Sequence, residues 1–419
     1  MAANLEDSPR PLNVTIVGAG IGGLAAAIAL RRNGHHVRIF EASQTKTEVG
    51  AGIGVQTNAA RILKQFGYSQ ENLKPFAFDG AIVFDAKNGI GITRPWQTAH
   101  LNSVRQEESV VCHRSDLHDE LNRLATGESG GGPPVQLLLN SKVATCDADA
   151  GIVTLANGEV VHADIVIGAD GIHSIVRTSV LGHTIKPPAS GWTCFRCLFD
   201  ASTLNELTDL DWLTEGLHGV RSVIMREKEF RMLFIYPCRS GTLINFVGIY
   251  PDAEQDVADW TPTARLDEVR ERFTDFHPKF LRILDLPLHT PILKWQLRAV
   301  PILPTWIRGC AALLGDAAHA TLPLLGQGAA MAIEEAAVLG CLLPLGTTKE
   351  DIPARLEAYQ TLRKERGEFV GTESVSQAAV PAKRGKYLRS RELQMSMIDY
   401  DAVQVAQDYY DANFRSVKF

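Results

Sequence analysis

A chain of 419 residues with 45% apolar and 21% charged side chains has a globular composition and the length for two domains, or for one large α/β unit carrying an inserted domain. Its formal net charge of −6 supplies no basic field to gather nucleic acid or an anionic membrane, so neither is an expected partner. Seven cysteines scattered through mostly apolar stretches, a polar N-terminus and no uninterrupted apolar run of about 18 residues predict a cytoplasmic protein without signal peptide or membrane span.

The stretch LNVTIVGAGIGGLAAAIALRRNGHHVRIFEAS reads as a buried strand from Val14 to Val17, a glycine turn, and a helix from about Gly22 to Arg32. A stop at Gly34 and a second strand ending at Glu41 follow. This is a βαβ unit with Gly18-x-Gly20-x-x-Gly23 at its turn. Two of these glycines let the backbone turn and approach a pyrophosphate, and the third packs helix on strand. Glu41 is placed to bind ribose hydroxyls. The context points to dinucleotide binding, and the turn alone is compatible with either NAD or FAD.

A second glycine loop, EVGAGIGV (48–55), leads into a predicted helix, TNAARILKQFG, and an amphipathic helix is predicted around Asp116 to Leu124. GESGGGPP (127–134) reads as a flexible surface connection. Short strands follow: VQLLL, GIVTLANGEVV with an Asn157-Gly158 hairpin turn, and the buried ADIVIGADG. Between 191 and 300, RSVIM, FRMLFIYP and TLINFVGIY are spaced like an antiparallel sheet that interrupts the α/β pattern. The expected organisation is a nucleotide-binding domain from 1–185 and 301–345, an inserted sheet domain from 186–300, and a helical region from 346–419. Cys194 and Cys197, three apart in a strand, should face opposite sides, which argues against a redox or zinc pair. The Lys383, Arg384, Lys386, Arg389 and Arg391 cluster reads as a solvated helix face.

LLGDAAHATLPLLGQGAAMAIEEA (313–336) places Asp316 at a strand end, before a helix starting near Gly328 and Ala329 with almost no side chains in its first turn. Asp316 could accept from a ligand hydroxyl or simply cap a turn. The free N–H groups of that helix start could meet the negative edge of a planar ligand, or the small residues could serve close helix packing.

Three further segments carry a resemblance. ADIVIGADGIHSIVR contains Asp170-Gly171 and Arg177, LLGDAAHATLP contains Asp316 and Pro323, and VVCHRSDLHDEL contains Arg114. With the glycine turn, they resemble the single-component flavin aromatic hydroxylases, the salicylate hydroxylase and para-hydroxybenzoate hydroxylase family, from about residue 12 to residue 370. EVGAGIGVQTNAARIL resembles that family's loop beside the isoalloxazine, with Gln56-Thr57-Asn58 where Gln-Pro-Asn is usual. Ala320 stands where many members have proline.

The resemblance implies an α/β fold: a Rossmann-like FAD-binding domain, an inserted antiparallel β-sheet substrate domain and C-terminal helices. It implies a resident FAD held by Gly18, Gly20, Gly23, Glu41, Ala51, Gly54, Arg114, Asp170, Asp316, Pro323, Gly328 and Ala329. NADH or NADPH would visit, and O2 and a small phenolic or hydroxybenzoate-type aromatic would react. In the family, oxygen passes to the ring from a flavin hydroperoxide, with loss of a ring carboxylate in salicylate-type enzymes. Catalytic candidates by the same resemblance are Arg196 and Tyr236, against a structural ion pair for the first and a core position for the second, and His319, against a loop-stabilising role. No metal-binding or hydrolase motif is present, so no metal is expected, and a monomer or homodimer is. The alternatives are an epoxidase or oxidative-rearrangement enzyme acting on an indole or isoprenoid natural product, a flavin reductase of the same fold, and a flavin-bound sensor.

Overall fold

The computed structural model describes residues 10–44, 51–95, 109–207, 209–227, 229–252 and 263–415. Glu48 to Gly50 of the second glycine loop, and most of the polar N-terminus considered above, lie outside the described residues. In chain order, β1 (Asn13–Val17), α1 (Ile21–Arg32) and β2 (His36–Phe40) are followed by β3 (Gly52–Val55), α2 (Thr57–Gln65) and α3 (Gln70–Leu73). Next come β4 (Phe76–Ala77), β5 (Gly80–Asp85), β6 (Gly91–Pro95), β7 (Val110–His113) and α4 (Arg114–Thr126). Then β8 (Gln136–Leu138), β9 (Val143–Asp147), β10 (Ile152–Leu155), β11 (Val160–His162), β12 (Ile165–Gly168) and α5 (Ile175–Leu181). The middle of the chain holds β13 (Ala189–Asp200), α6 (Asp211–Thr214), β14 (Gly219–Met225), β15 (Arg231–Cys238), β16 (Leu243–Pro251), β17 (Thr263–Ala264), α7 (Leu266–Arg272), α8 (Pro278–Leu281) and β18 (Ile292–Arg298). Last are β19 (Ile307–Arg308), β20 (Ala311–Leu313), α9 (Asp316–His319), α10 (Gly328–Leu342), α11 (Ile352–Ala379), α12 (Arg391–Ile398) and α13 (Ala402–Asn413).

One sheet runs β19-β20-β12-β1-β2-β8, with β1 parallel to both β2 and β12. Strands buried on both faces read as continuous apolar runs, which is why VTIV and IVI are legible as its centre. α1 is buried along nearly its whole length because it lies between this sheet and α10, and its alanines permit that close approach. The expected hairpin at Asn157-Gly158 joins β10 to β11, with Gly158 at φ +88°.

GESGGGPP is not a loose connection. The fully buried Arg31 guanidinium donates from Nη1 to the carbonyls of Leu124, Ala125 and Gly127 at 2.7–2.9 Å, and from Nη2 to Gly132 at 2.9 Å. Three of these carbonyls are the open C-terminal end of α4, so one cation on α1 closes the terminus of another helix and pins the segment after it. Composition suggested flexibility because the partner lies about a hundred residues upstream. Arg31→Met is expected to destabilise the protein by about 3 kcal/mol or more, since several buried carbonyls lose their donor together. A chemical-denaturation midpoint equal to that of the wild type would contradict this.

The second sheet runs β17-β18-β13-β16-β15-β14-β5-β6. Two of its strands, β5 and β6, come from residues 80–95, outside the 186–300 span expected for the inserted domain, and β14 pairs with β5 in parallel. Alternation along β13 sends Phe195, Cys197 and Phe199 to an outer layer with α7 and α8, and turns Cys194 and Arg196 to the opposite face. The two cysteines therefore diverge, and burial pushes the Cys194 thiol up to about 11. The inner face packs on the 322–331 segment, α11 and the residues around α12. There the basic cluster departs from a solvated helix face. It spans 3-10 turns, Arg384 is buried with Nη1 on the Arg226 carbonyl (2.9 Å), and Lys383 pairs with Glu373 (2.7 Å).

Candidate active site

The glycine turn separates internal needs from external ones. A Cβ on Gly18, at φ +98°, would lie 2.5 Å from the Ala169 carbonyl oxygen, and one on Gly23 would lie 2.1 Å from the Gly18 oxygen. Both positions are fixed by the protein's own backbone. A Cβ on Gly20 would meet nothing within 4 Å, so packing does not demand a glycine there, and its bare backbone fits the close approach of a pyrophosphate. Glu41 accepts the Ala19 N–H at 2.7 Å and the Ser43 N–H at 2.8 Å, and His118 Nε2 lies 2.8 Å from the Ala19 carbonyl. The Ala19 peptide is thus gripped on both sides, and His118 gave no signal beyond its place in an amphipathic helix.

Asp170 is occupied with α5: its carboxylate accepts from Ser174 Oγ (2.5 Å), Ile175 N (2.7 Å) and Val176 N (3.2 Å). This is helix capping, and burial raises its carboxyl pKa against those donors. Arg177, 2% exposed, donates to the Ala317 and Ile172 carbonyls at 3.0 and 2.6 Å, tying the Asp-Gly segment to the segment that bears Asp316. Asp316 is the first residue of the short α9 rather than the end of a strand, and it is exposed to an open cleft. Protein packed around its other sides raises its carboxyl pKa, with His319 and Arg114 opposing, and contact with water limits that rise. Arg114, the first residue of α4, is brought down to about 10 by burial and by the neighbouring Arg196, with Asp316 opposing.

His319 turns away from that cleft. Its Nε2 is 2.6 Å from Glu335 Oε1, its ring lies 5.1 Å from that of Trp306, and Glu335 Oε2 accepts the Gly315 N–H at 2.7 Å. Burial lowers its pKa and Glu335 more than restores it, leaving a net rise.

Pro323 begins a 3-10 turn (Pro323–Leu325), and α10 starts at Gly328 with Gln327 before it. A Cβ on Gly328 would touch nothing, so the helix start is open to a ligand edge. The turn is held by Gln56, whose Nε2 donates to the Leu325 carbonyl at 3.0 Å, while Gln327 Nε2 and the Tyr387 hydroxyl donate to Gln56 Oε1 at 2.6 and 2.8 Å. Asn58 Nδ2 donates to Gln327 Oε1 (3.0 Å) and to the buried Glu334 (2.6 Å). Gln56 and Asn58 were visible as a motif; Gln327, Tyr387 and Glu334 were not.

The inner face of the large sheet reaches the same place through Gly52. Its N–H donates to Asn245 Oδ1 (2.8 Å), its carbonyl accepts from Arg196 Nη2 (3.1 Å), and a Cβ there would lie 2.4 Å from the Tyr236 ring. Arg196 also lies 5.5 Å from the Trp295 ring centroid, and its Nε has no hydrogen-bond partner. Tyr236, 5% exposed, has its hydroxyl pKa pushed up by burial, with Arg196 opposing. Ala51 accepts the Arg114 N–H at 2.7 Å, and Gly54 pairs with Val111 across β3 and β7. Arg196 and Tyr236 therefore meet at one glycine, together with Asn245, which nothing in the sequence singled out.

A glycine turn open at Gly20, a cleft carboxylate at Asp316 and a bare helix start at Gly328 fit the pyrophosphate, ribityl chain and ring edge of a flavin dinucleotide. Residues 11–374 match the family described as FAD binding domain, and the chain belongs to it. Hispidin-3-hydroxylase of Neonothopanus nambi is 41% identical over 99% of each chain. The 6-hydroxynicotinate 3-monooxygenase of Bordetella bronchiseptica is 30% identical over 87% of this chain and 90% of that one. Among solved structures, a salicylate hydroxylase substrate complex superposes with TM-score 0.76 at 26% identity, covering 95% of this chain and 97% of that one. The protein is an FAD-dependent monooxygenase of the aromatic hydroxylase kind. Among the described residues no helix is long and apolar enough to cross a membrane, and no cluster of metal-ligating side chains occurs.

Proposed function

We propose that the protein hydroxylates a phenolic or hydroxybenzoate-type ring bound against the inner face of the large sheet, with NADH or NADPH as visiting reductant. The observation that carries this reading is Arg196, a cation set in an apolar face among Trp192, Phe234, Val247 and Trp295, with one guanidinium edge on Gly52 and Nε left over. A half-buried cation on an apolar face favours an anionic partner, and a phenolate is both anionic and electron-rich enough to be hydroxylated.

FAD, when bound, supplies the oxygen-activating redox chemistry. Its holders would be the Gly18–Gly23 turn, Glu41, Arg114, Asp316 and the start of α10, whose N–H groups stabilise negative charge at a ring edge. Arg196 holds the substrate oxygen in its ionised form, and Tyr236 orients the ring. The aromatic wall excludes water from the reacting carbon. Asp170 and His319 act indirectly: the first caps α5, and the second fixes α9 through Glu335.

The test is NAD(P)H oxidation stimulated by a panel of hydroxybenzoates, resorcinol and hispidin, the last chosen for the 41% identical relative, with product mass after reaction under isotopically labelled O2. Absence of label from the product would overturn the reading. Arg196→Ala is expected to retain FAD and to lower kcat/KM for the phenol about thirtyfold or more, the result of losing a hydrogen-bonded charge worth about 2 kcal/mol or more. Unchanged kcat/KM would instead favour a substrate without a phenolate.

A further inference from the structure

We propose that Tyr387 is a positioning residue that couples substrate occupancy of the large sheet to the flavin-facing turn at 323–328, an inference that rests on the functional reading above. The residue lies in the C-terminal segment, far in sequence from every cofactor motif, yet its hydroxyl ends on Gln56 Oε1 at 2.8 Å. The orientation of the Gln56 amide is set by its surroundings. Two donors, Tyr387 Oη–H and Gln327 Nε2–H, converge on its oxygen, and its NH2 faces the carbonyls of Leu325 (3.0 Å) and Gly326 (3.4 Å). Gln56 is therefore an adaptor whose acceptor end meets the C-terminal segment and whose donor end holds the turn.

The same segment touches the substrate sheet. Arg384 Nη1 donates to the Arg226 carbonyl at 2.9 Å, just beyond β14, and a Cβ on Gly385 would lie 2.7 Å from Ile224 Cδ1 on the inner face. The Tyr387 N–H is itself anchored on Gln377 Oε1 of α11 at 3.1 Å. Four consecutive residues thus span from the sheet to the flavin turn. Tyr387, Gln56 and Gln327 are 2%, 3% and 1% exposed, so water cannot replace a lost donor cheaply. A packing role would need only the ring, whereas the hydroxyl is directed at the Gln56 amide, which donates to the carbonyls of the turn. Displacement of the sheet face by a bound aromatic reaches the turn through this bridge, because buried contacts of this kind shift as discrete arrangements rather than by gradual deformation.

The experiment compares holoenzyme and Tyr387→Phe in two ways. Hydrogen–deuterium exchange is followed over the peptide covering 323–328, and NAD(P)H oxidation is measured with and without each phenol of the panel, counting peroxide released without product. The expected result is retained FAD, exchange in 323–328 faster by about fivefold or more, stimulation by phenol reduced by about fivefold or more, and a larger peroxide share. Exchange and stimulation both equal to wild type would overturn the proposal. Should Tyr387→Phe not fold, Arg384→Met at the sheet end of the bridge takes its place, and wild-type values in that variant would overturn it equally. A wild-type enzyme that no phenol stimulates counts against the functional reading, and the exchange result then decides the part of Tyr387 alone.

Discussion

Glu334→Gln is expected to lower the unfolding free energy by about 3–5 kcal/mol, because it leaves buried guanidinium charge without its counter-ion. Glu334 is fully buried on α10 and accepts from Arg363 Nη2 (2.6 Å), Arg366 Nε (2.8 Å), Arg366 Nη2 (3.0 Å) and Asn58 Nδ2 (2.6 Å). It thereby fastens α11 and α2 to the helix whose start is open at Gly328. Arg363 is as deeply buried as its partner, so the variant strands a charge rather than merely losing a bond. Burial pushes the Glu334 carboxyl up, and Arg363 and Arg366 pull it further down, for a net lowering. A carboxyl lowered in the fold stabilises above its unfolded pKa, about 4.5, and that contribution fades as pH falls through the folded value. The gap between wild type and variant should therefore be full near neutrality and shrink in acid below about pH 4.5. Urea unfolding at both pH values checks this, and coincident midpoints at neutrality would sink it.

Two glycines of the turn that follows β1 should fail in different ways. Gly20→Val is expected to leave the apo-protein folded, since no atom lies within 4 Å of the new Cβ, and to weaken FAD binding at least about a hundredfold, or ~2.7 kcal/mol. Gly23→Val places carbon 2.1 Å from the Gly18 carbonyl, a backbone atom that cannot swing aside, so the turn and the helix packing both suffer. Thermal unfolding of the apo-proteins and flavin absorbance after reconstitution separate the two. A Gly20→Val protein that takes up FAD as the wild type does would remove the external role assigned to that glycine.

The βαβ unit was legible because its signals are local: a β-branched run, glycines at fixed spacing, a small-residue helix and a Gly34 stop. The bare start of α10 at Gly328 was legible for the same reason, whereas Asp316, expected at a strand end, opens α9. What could not be read was which distant partner satisfies each polar group. Asp170 reads as a motif carboxylate and caps its own helix. His319 was open between a ring-side and a loop-stabilising role, and it is turned to Glu335, sixteen residues on. Glu334 and Glu335 carried no signal within their alanine-rich stretch, and both are fully buried, because their counter-charges and donors sit on other elements. Asn245 sits in an apolar strand with no periodic or spacing signal, and only the approach of β3 gives it a purpose.

The parallel pairing of β14 with β5 has a consequence for how the molecule is made. The β5–β6 hairpin leaves the ribosome long before β14 exists, and until then its exposed edge has no strand to join. β14 in turn is buried along its full length only once that hairpin is in place. The substrate sheet therefore cannot close as an independent module of the middle sequence. Its completion waits for pairing between residues 80–85 and 219–224, a non-local step.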